Sequence, residues 1–148
     1  MYKVLIVDDE KEIREGLAAW TWEAVGLEVA GCFSHGLEAL QFMEEHPVDV
    51  VITDIRMPFM DGIELMEVLN RKYPFTNVII LSGYNDFKYA QQAIRLGAKD
   101  YLLKPVLPSS LFHTCEQLVR MLDAKKQNEY RISILKRKEK LLTKLMRD

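Results

Sequence analysis

Five polar residues of complementary chemistry stand directly after short aliphatic runs. Asp8 and Asp9 follow Val4-Leu5-Ile6-Val7, Asp54 follows Val50-Val51-Ile52-Thr53, Ser82 follows Val78-Ile79-Ile80-Leu81, and Lys104 follows Leu102-Leu103. Clustered carboxylates repel one another, so three of them together need a cation to stay ionised at neutral pH. A donor set made of hard oxygens suits Mg2+, which keeps waters and bridges carboxylate to phosphate. Asp54 then reads as a carboxylate nucleophile able to accept a phosphoryl group. Magnesium and the Lys104 ammonium would neutralise charge on the transferring oxygens, and the Ser82 hydroxyl would hydrogen-bond one of them. Singly, each residue has an ordinary explanation. Asp8-Asp9-Glu10 can cap a helix, Asp54 can precede a turn at Met57-Pro58, Ser82-Gly83 can be loop, and Lys104-Pro105 can simply end a strand. Their shared position, each after a buried run, favours the joint reading.

The elements that must deliver these groups alternate along the chain. Tyr2–Val7, Leu27–Phe33, Val48–Thr53, Thr76–Leu81 and Lys99–Leu103 have strand length and aliphatic or β-branched content. Several are continuous rather than alternating, which suits strands buried on both faces of a parallel sheet. Between them Ile13, Leu17, Trp20 and Ala24 recur at helical spacing, as do Leu37, Leu40 and Met43, Leu65 with Leu69, and Ala90 with Ile94. Asp86 and Ser109 are expected to cap helices, and Gly26 and Gly97 to end them. Trp20 and Trp22 cannot both face the core from one helix. The pattern is (βα)5, an α/β three-layer sandwich with right-handed crossovers. In such sheets ligands bind beyond the carboxyl ends of the strands. That edge is where the five residues fall.

Composition narrows the class further. The 148 residues are 49% apolar and 28% charged, with a net charge of −2, as expected of one globular domain. Apolar runs such as Val29–Phe33 fall far short of the roughly 18 residues a membrane span needs. The run Val4–Val7 meets Asp8-Asp9-Glu10 instead of a signal-peptide cleavage site. Cys32 and Cys115 are too few for a disulfide scaffold and fit a reducing, cytoplasmic setting. Residues 124–148 carry nine Lys/Arg and three Asp/Glu, a local +6 against −8 for the rest. A boundary is therefore expected near Asp123-Ala124, dividing a body over 1–123 from a basic tail over 124–148.

Four motifs in combination resemble the receiver domains of two-component response regulators, over about residues 1–122. They are Val7-Asp8-Asp9-Glu10, Thr53-Asp54-Ile55-Arg56-Met57-Pro58 running on to Asp61-Gly62, Leu81-Ser82-Gly83-Tyr84, and Gly97-Ala98-Lys99-Asp100-Tyr101 running on to Lys104-Pro105. The resemblance implies strand order 2-1-3-4-5 and Asp54 as phosphoacceptor, with a sensor histidine kinase as phosphodonor. It implies Mg2+ on Asp9, Asp54 and the backbone carbonyl of Arg56, with Asp8 assisting, often through water. Lys104 and Ser82 would assist transfer, Ser82 and Tyr101 would form the switch pair, and the Lys104-Pro105 bond would be cis. Arg56 and Tyr84 take positions that tune phosphate loss, and their bulk implies slow self-dephosphorylation. Such a chain is a regulatory phosphoacceptor, not an enzyme. The stretch from Leu81 to Ala90 looks like the subfamily followed by a helical linker and an AraC-type helix-turn-helix domain. On that reading the chain is part of a longer transcription regulator, and DNA binding belongs to the absent output domain.

Three rivals share the architecture. A flavodoxin-like nucleotide binder needs a Gly/Ser/Thr-rich phosphate loop where Asp8-Asp9-Glu10 stands. A haloacid-dehalogenase-type hydrolase needs a second acid where Arg56 stands. A phosphate-independent interaction module would lack site residues, and none is missing. Cys32-x-x-His35 and His113-x-Cys115 are lone pairs without the other half of a zinc site. The basic run around Lys136-Arg137-Lys138 reads as a solvated helix face, since no aromatic residues interleave with it. Leu111, Cys115, Leu118 and Leu122 step along a helical face, and no Pro or Gly follows before the end. A helix is therefore expected to run on through the tail. Leu135, Leu142 and Leu145 keep a partial heptad, interrupted by Arg131 and Lys138, which points to weak pairing with a second copy.

Overall fold

The computed structural model describes residues 1–83 and 85–147. Five parallel strands, β1 (Tyr2–Val7), β2 (Leu27–Phe33), β3 (Val50–Asp54), β4 (Asn77–Ser82) and β5 (Asp100–Leu103), lie in the order β2-β1-β3-β4-β5. Helices α1 (Lys11–Ala18), α2 (Gly36–Met43), α3 (Gly62–Lys72), α4 (Phe87–Arg95) and α5 (Pro108–Arg147) connect and extend them. The fold class and strand order are as expected from the sequence.

The continuous apolar runs have a direct cause. Leu5, Val7, Val51, Val78 and Ile80 join one core with α2, α3 and α4. Their neighbours Val4, Ile6, Val50, Ile52, Ile79 and Leu81 join a second core with Leu17 of α1 and Leu111, Cys115 and Leu118 of α5. Successive strand residues point to opposite faces, and both faces are covered, so no polar alternation survives.

Several local expectations are corrected. The helix read through Ile13, Leu17, Trp20 and Ala24 stops at Ala18, and a separate 3-10 turn spans Trp22–Val25. The Trp22 indole Nε1 donates to the Leu17 carbonyl at 2.7 Å, occupying an acceptor that a continuing helix would use. Trp22 is thereby buried to 2% exposure while Trp20 is half-buried, touching it edge-on. In α2 the buried face is Gly36, Ala39 and Met43, and Leu37 is 56% exposed. Ile94 of α4 is likewise exposed, with Ala90 and Ala93 facing the core. Ser109 lies inside α5, which starts on Pro108, a residue suited to the first turn because its missing N–H would find no helical acceptor there. Gly26 and Gly97 stop their elements in the left-handed region, at φ 84° and 104°.

Helix α5 is 40 residues long. Its first turns pack on the sheet through Leu111, Cys115 and Leu118, with Leu122 half-buried; beyond Asp123 nearly every described residue is exposed. The exit is held at its root. The Tyr2 hydroxyl donates to Asp123 at 2.7 Å, and the Lys125 and Lys126 ammoniums lie over the rings of Phe75 and Tyr2. No described helix is long and apolar enough to cross a membrane.

Candidate functional site

The strand order reverses between β1 and β3, and both strands deliver acids there. Asp8 follows β1 and is fully buried; its Oδ1 accepts from the Glu10 amide at 2.9 Å, and Arg14 donates to its carbonyl at 2.7 Å. These two bonds fix the turn that aims Asp8 inward. Asp54 is the last residue of β3 and Ser82 the last of β4, at 4% and 1% exposure. Both expected strand ends move by one residue, so these side chains belong to the sheet itself.

Gly62, the first residue of α3, presses against this strand end. Its amide donates to the Ile55 carbonyl at 2.7 Å. Asp61 before it completes a reciprocal cap: the Glu64 amide donates to Asp61 at 2.8 Å, and the Asp61 amide to Glu64 at 3.2 Å.

Lys104 arrives from β5 behind a cis Lys104–Pro105 bond, with its amide donating to the Ser82 carbonyl at 2.9 Å. Its Nζ lies 3.0 Å from Asp8 Oδ2, 3.2 Å from Asp54 Oδ2 and 3.2 Å from Glu10 Oε1. One ammonium thus serves three carboxylates. Burial pushes the Asp54 carboxyl up to about 7, and the neighbouring Asp8 charge adds to this, against the pull of Lys104. Burial also raises Asp8. Burial by itself would lower Lys104, but hydrogen bonding and charge from Asp8 and Asp54 outweigh it and hold the ammonium above its usual range.

One lysine therefore leaves this acid cluster short of positive charge. Carboxylate oxygens of Asp8, Asp9, Glu10 and Asp54 lie within 4.8 Å of one another. All are hard oxygen donors, the set that Mg2+ prefers, so the residues present fit that ion. The Ser82 Oγ is buried and has no hydrogen-bond partner among the described residues. An unpaired buried hydroxyl is costly unless something completes it, and it sits on the strand beside Asp54.

The structure brings together Asp8, Asp9, Asp54 and Lys104 as the sequence reading expected, with Ser82 at the neighbouring strand end. Glu10 was missed as a site residue. Its position after Asp8-Asp9 was legible, but its contact with a lysine 94 residues away was not. Tyr101 is partly exposed on β5, and the Arg56 side chain pairs with Asp86 instead of the acids. Tyr84 lies outside the described residues. Cys115 is buried in the core, its thiol pushed up to about 12 by that burial. The acid cluster is the group of metal-binding spacing found among the described residues, and it includes neither cysteine pair.

A doubly wound α/β sheet carrying an acid cluster and a lysine on its carboxyl edge defines a class of small regulatory domains. Residues 4–116 match the response regulator receiver domain, and the chain belongs to that family. It is similar to the uncharacterized transcriptional regulatory protein YesN of Bacillus subtilis, 38% identical over 80% of this chain and 33% of that protein. It is also similar to the transcriptional regulatory protein HptR of Staphylococcus aureus, 41% identical over 86% of this chain and 51% of that protein. The chain thus spans between a third and about half the length of these curated relatives. Among solved structures, the REC domain of AraT, a response regulator from Geobacillus stearothermophilus, superposes with a TM-score of 0.80 at 41% identity, covering 84% of this chain and 98% of that one.

Proposed function

We propose that this receiver domain accepts a phosphoryl group on Asp54 from the phosphohistidine of a sensor histidine kinase. An Asp54 carboxylate oxygen attacks phosphorus, and the phosphorus–nitrogen bond breaks with its electron pair returning to the imidazole, which then takes a proton. Lys104 binds an equatorial oxygen of the transferring group, and the Ser82 hydroxyl donates to another. Mg2+, held by Asp9, Asp54 and the Arg56 carbonyl with Asp8 through water, would neutralise the remaining charge and favour the ionised form of Asp54. The single observation that carries this reading is the Lys104 ammonium between buried Asp8 and Asp54, with a Ser82 hydroxyl on the next strand that has no partner among the described residues. The chain should gain one phosphoryl group from a small-molecule phosphodonor with Mg2+ and none with a chelator, read by intact mass. Unaltered mass under both conditions would sink the proposal.

The bound phosphate is proposed to draw Ser82 toward it, letting Tyr101 turn inward and reshaping the face of α4, β5 and α5. Through that face it would switch a DNA-binding output domain of a cytoplasmic transcription regulator. The support is the naming of relatives about two to three times as long. The domain is proposed to end near Asp123, where α5 leaves the body, with 124–148 as a basic helical linker. Ile132, Leu135, Leu142 and Leu145 are exposed along that stretch. A lone exposed helix is marginal in water, so a second copy is the proposed partner. Sedimentation should show a weak, concentration-dependent dimer that vanishes when the chain is cut after Asp123. Equal dimerisation of cut and full chains would assign pairing to the body instead.

A further inference from the structure

Asp86 stands where a helix cap belongs, yet its side chain caps nothing. It precedes α4 and its backbone carbonyl accepts from the Ala90 amide at 2.9 Å, but its side chain accepts from none of that helix's amides. Instead its Oδ2 accepts from the Gly83 amide at 3.1 Å, and its Oδ1 lies 2.6 Å from Arg56 Nε. The Arg56 guanidinium also lies over the Tyr89 ring of α4, 5.3 Å from its centroid. Asp86 is buried, whereas the Arg56 side chain is 64% exposed. One carboxylate therefore ties the residue two after Asp54 to the residue one after Ser82.

We propose that Asp86 is a positioning residue that competes with a phosphoryl group on Asp54 for the Arg56 guanidinium, and so sets how long that phosphate survives. This rests on the phosphoacceptor reading of Asp54. A phosphoryl group brings two charges and three acceptor oxygens, and guanidinium pairs with such groups bidentately. Asp86 offers Arg56 a single oxygen, because the other is committed to Gly83. The phosphate is lost when a water oxygen attacks phosphorus. The bond to the Asp54 oxygen breaks, its electron pair returns to the carboxylate, and the water's oxygen and both its protons leave in inorganic phosphate. Lys104, Asp8 and the strand ends enclose Asp54 from the sheet side, so water must approach from solvent. Arg56 is an exposed, cationic side chain on the loop after β3, two residues from Asp54. Drawn onto the phosphoryl oxygens it covers this approach; held by Asp86 it leaves the approach open. Its departure from Asp86 also frees the turn before α4, adding a second route from the site to that helix.

Asp86→Asn isolates the charge, because an amide oxygen can still accept from Gly83. The variant should take up phosphate from a small-molecule donor to the wild-type extent and lose it several-fold more slowly, followed by intact mass after donor removal. In the Arg56→Ala background the same change should have no effect on the decay rate. Decay at the wild-type rate or faster in Asp86→Asn overturns the proposal. So does a slowing that persists without the Arg56 side chain. A measurement on the unaltered chain covers the case of an unstable variant: the Arg56 Nε–H resonance should move when beryllium fluoride and Mg2+ are added. A resonance that stays fixed overturns the proposal. A wild-type chain that takes up no phosphate overturns the phosphoacceptor reading as well, whereas normal uptake with equal decay rates overturns only the role of Asp86.

Discussion

Asp54→Asn should abolish phosphate uptake completely and, in a chelating buffer, make the protein more stable above neutral pH. The amide keeps the size of the side chain but has no anionic oxygen with which to attack phosphorus. The stability change follows from burial. Asp54 ionises at about 7 in the folded chain against 3.8 in an ordinary carboxyl. Between those values the folded state binds a proton that the unfolded state has released. A group raised in this way contributes stability that is complete below about pH 4 and is lost as pH climbs through about 7. Asparagine carries no such pH-dependent loss. The variant's advantage should therefore be absent near pH 4 and reach on the order of a few kcal/mol by pH 8. Urea unfolding of both proteins at pH 5 and pH 8 checks this. Equal stabilities at pH 8 would mean that Lys104 already offsets the burial of Asp54. Added Mg2+ should narrow the gap by stabilising the wild type more than the variant, which lacks one anionic donor of the cluster, because a ligand that binds only the folded site adds to its stability.

Gly62→Ala should destabilise the domain by about 3 kcal/mol or more and cripple phosphate uptake with it. A Cβ at this position would lie 2.6 Å from the Asp54 carbonyl oxygen and 2.9 Å from the Ile55 Cα. Both obstacles are backbone, so no side chain can rotate away. Either α3 retreats, breaking the Gly62 bond to the Ile55 carbonyl, or the end of β3 moves and takes Asp54 with it. The gain of up to about 1 kcal/mol from replacing glycine in a helix does not offset this. Gly16→Ala is the matched control. A Cβ there meets nothing within 4 Å on the exposed face of α1, so only the helix-propensity gain remains. Thermal melts of the two variants should move in opposite directions. A neutral Gly62→Ala would mean that the start of α3 gives way freely.

The sheet and most of the acid site were legible because their signals are local. A strand covered on both faces must be apolar at consecutive residues, and Val4–Val7, Val50–Ile52 and Val78–Leu81 show that whatever lies opposite them. Polar residues placed directly after such runs emerge together on one edge, so Asp8, Asp9, Asp54, Ser82 and Lys104 could be grouped before any coordinates. Residues along one helical face could be read in α3 and α5 for the same reason. In α2 the helical spacing holds, with Met43 buried and Leu40 against the core, but Leu37 is exposed and Ala39 covered, because only neighbouring elements decide which residues at the edge of that face are buried.

What the sequence determined on its own was periodicity and punctuation: five β-rich runs, the residues that end them, and a final helix with nothing to stop it. Tertiary structure decided everything that depends on one group reaching another far along the chain. Trp22 ends α1 by taking the Leu17 carbonyl, which requires the indole to find room in a core built from β1, β2 and α5. Glu10 joins the site because Lys104 arrives beside it, and the two Asp86 carboxylate oxygens go to Gly83 and Arg56 instead of a helix cap. The level to which burial lifts Asp54 is likewise set by the whole enclosure and no single neighbour. Local preferences of a few tenths of a kcal/mol per residue can be read from residue types. Desolvated charges and buried donors are worth several times more, and they are paired only when the chain has closed around them.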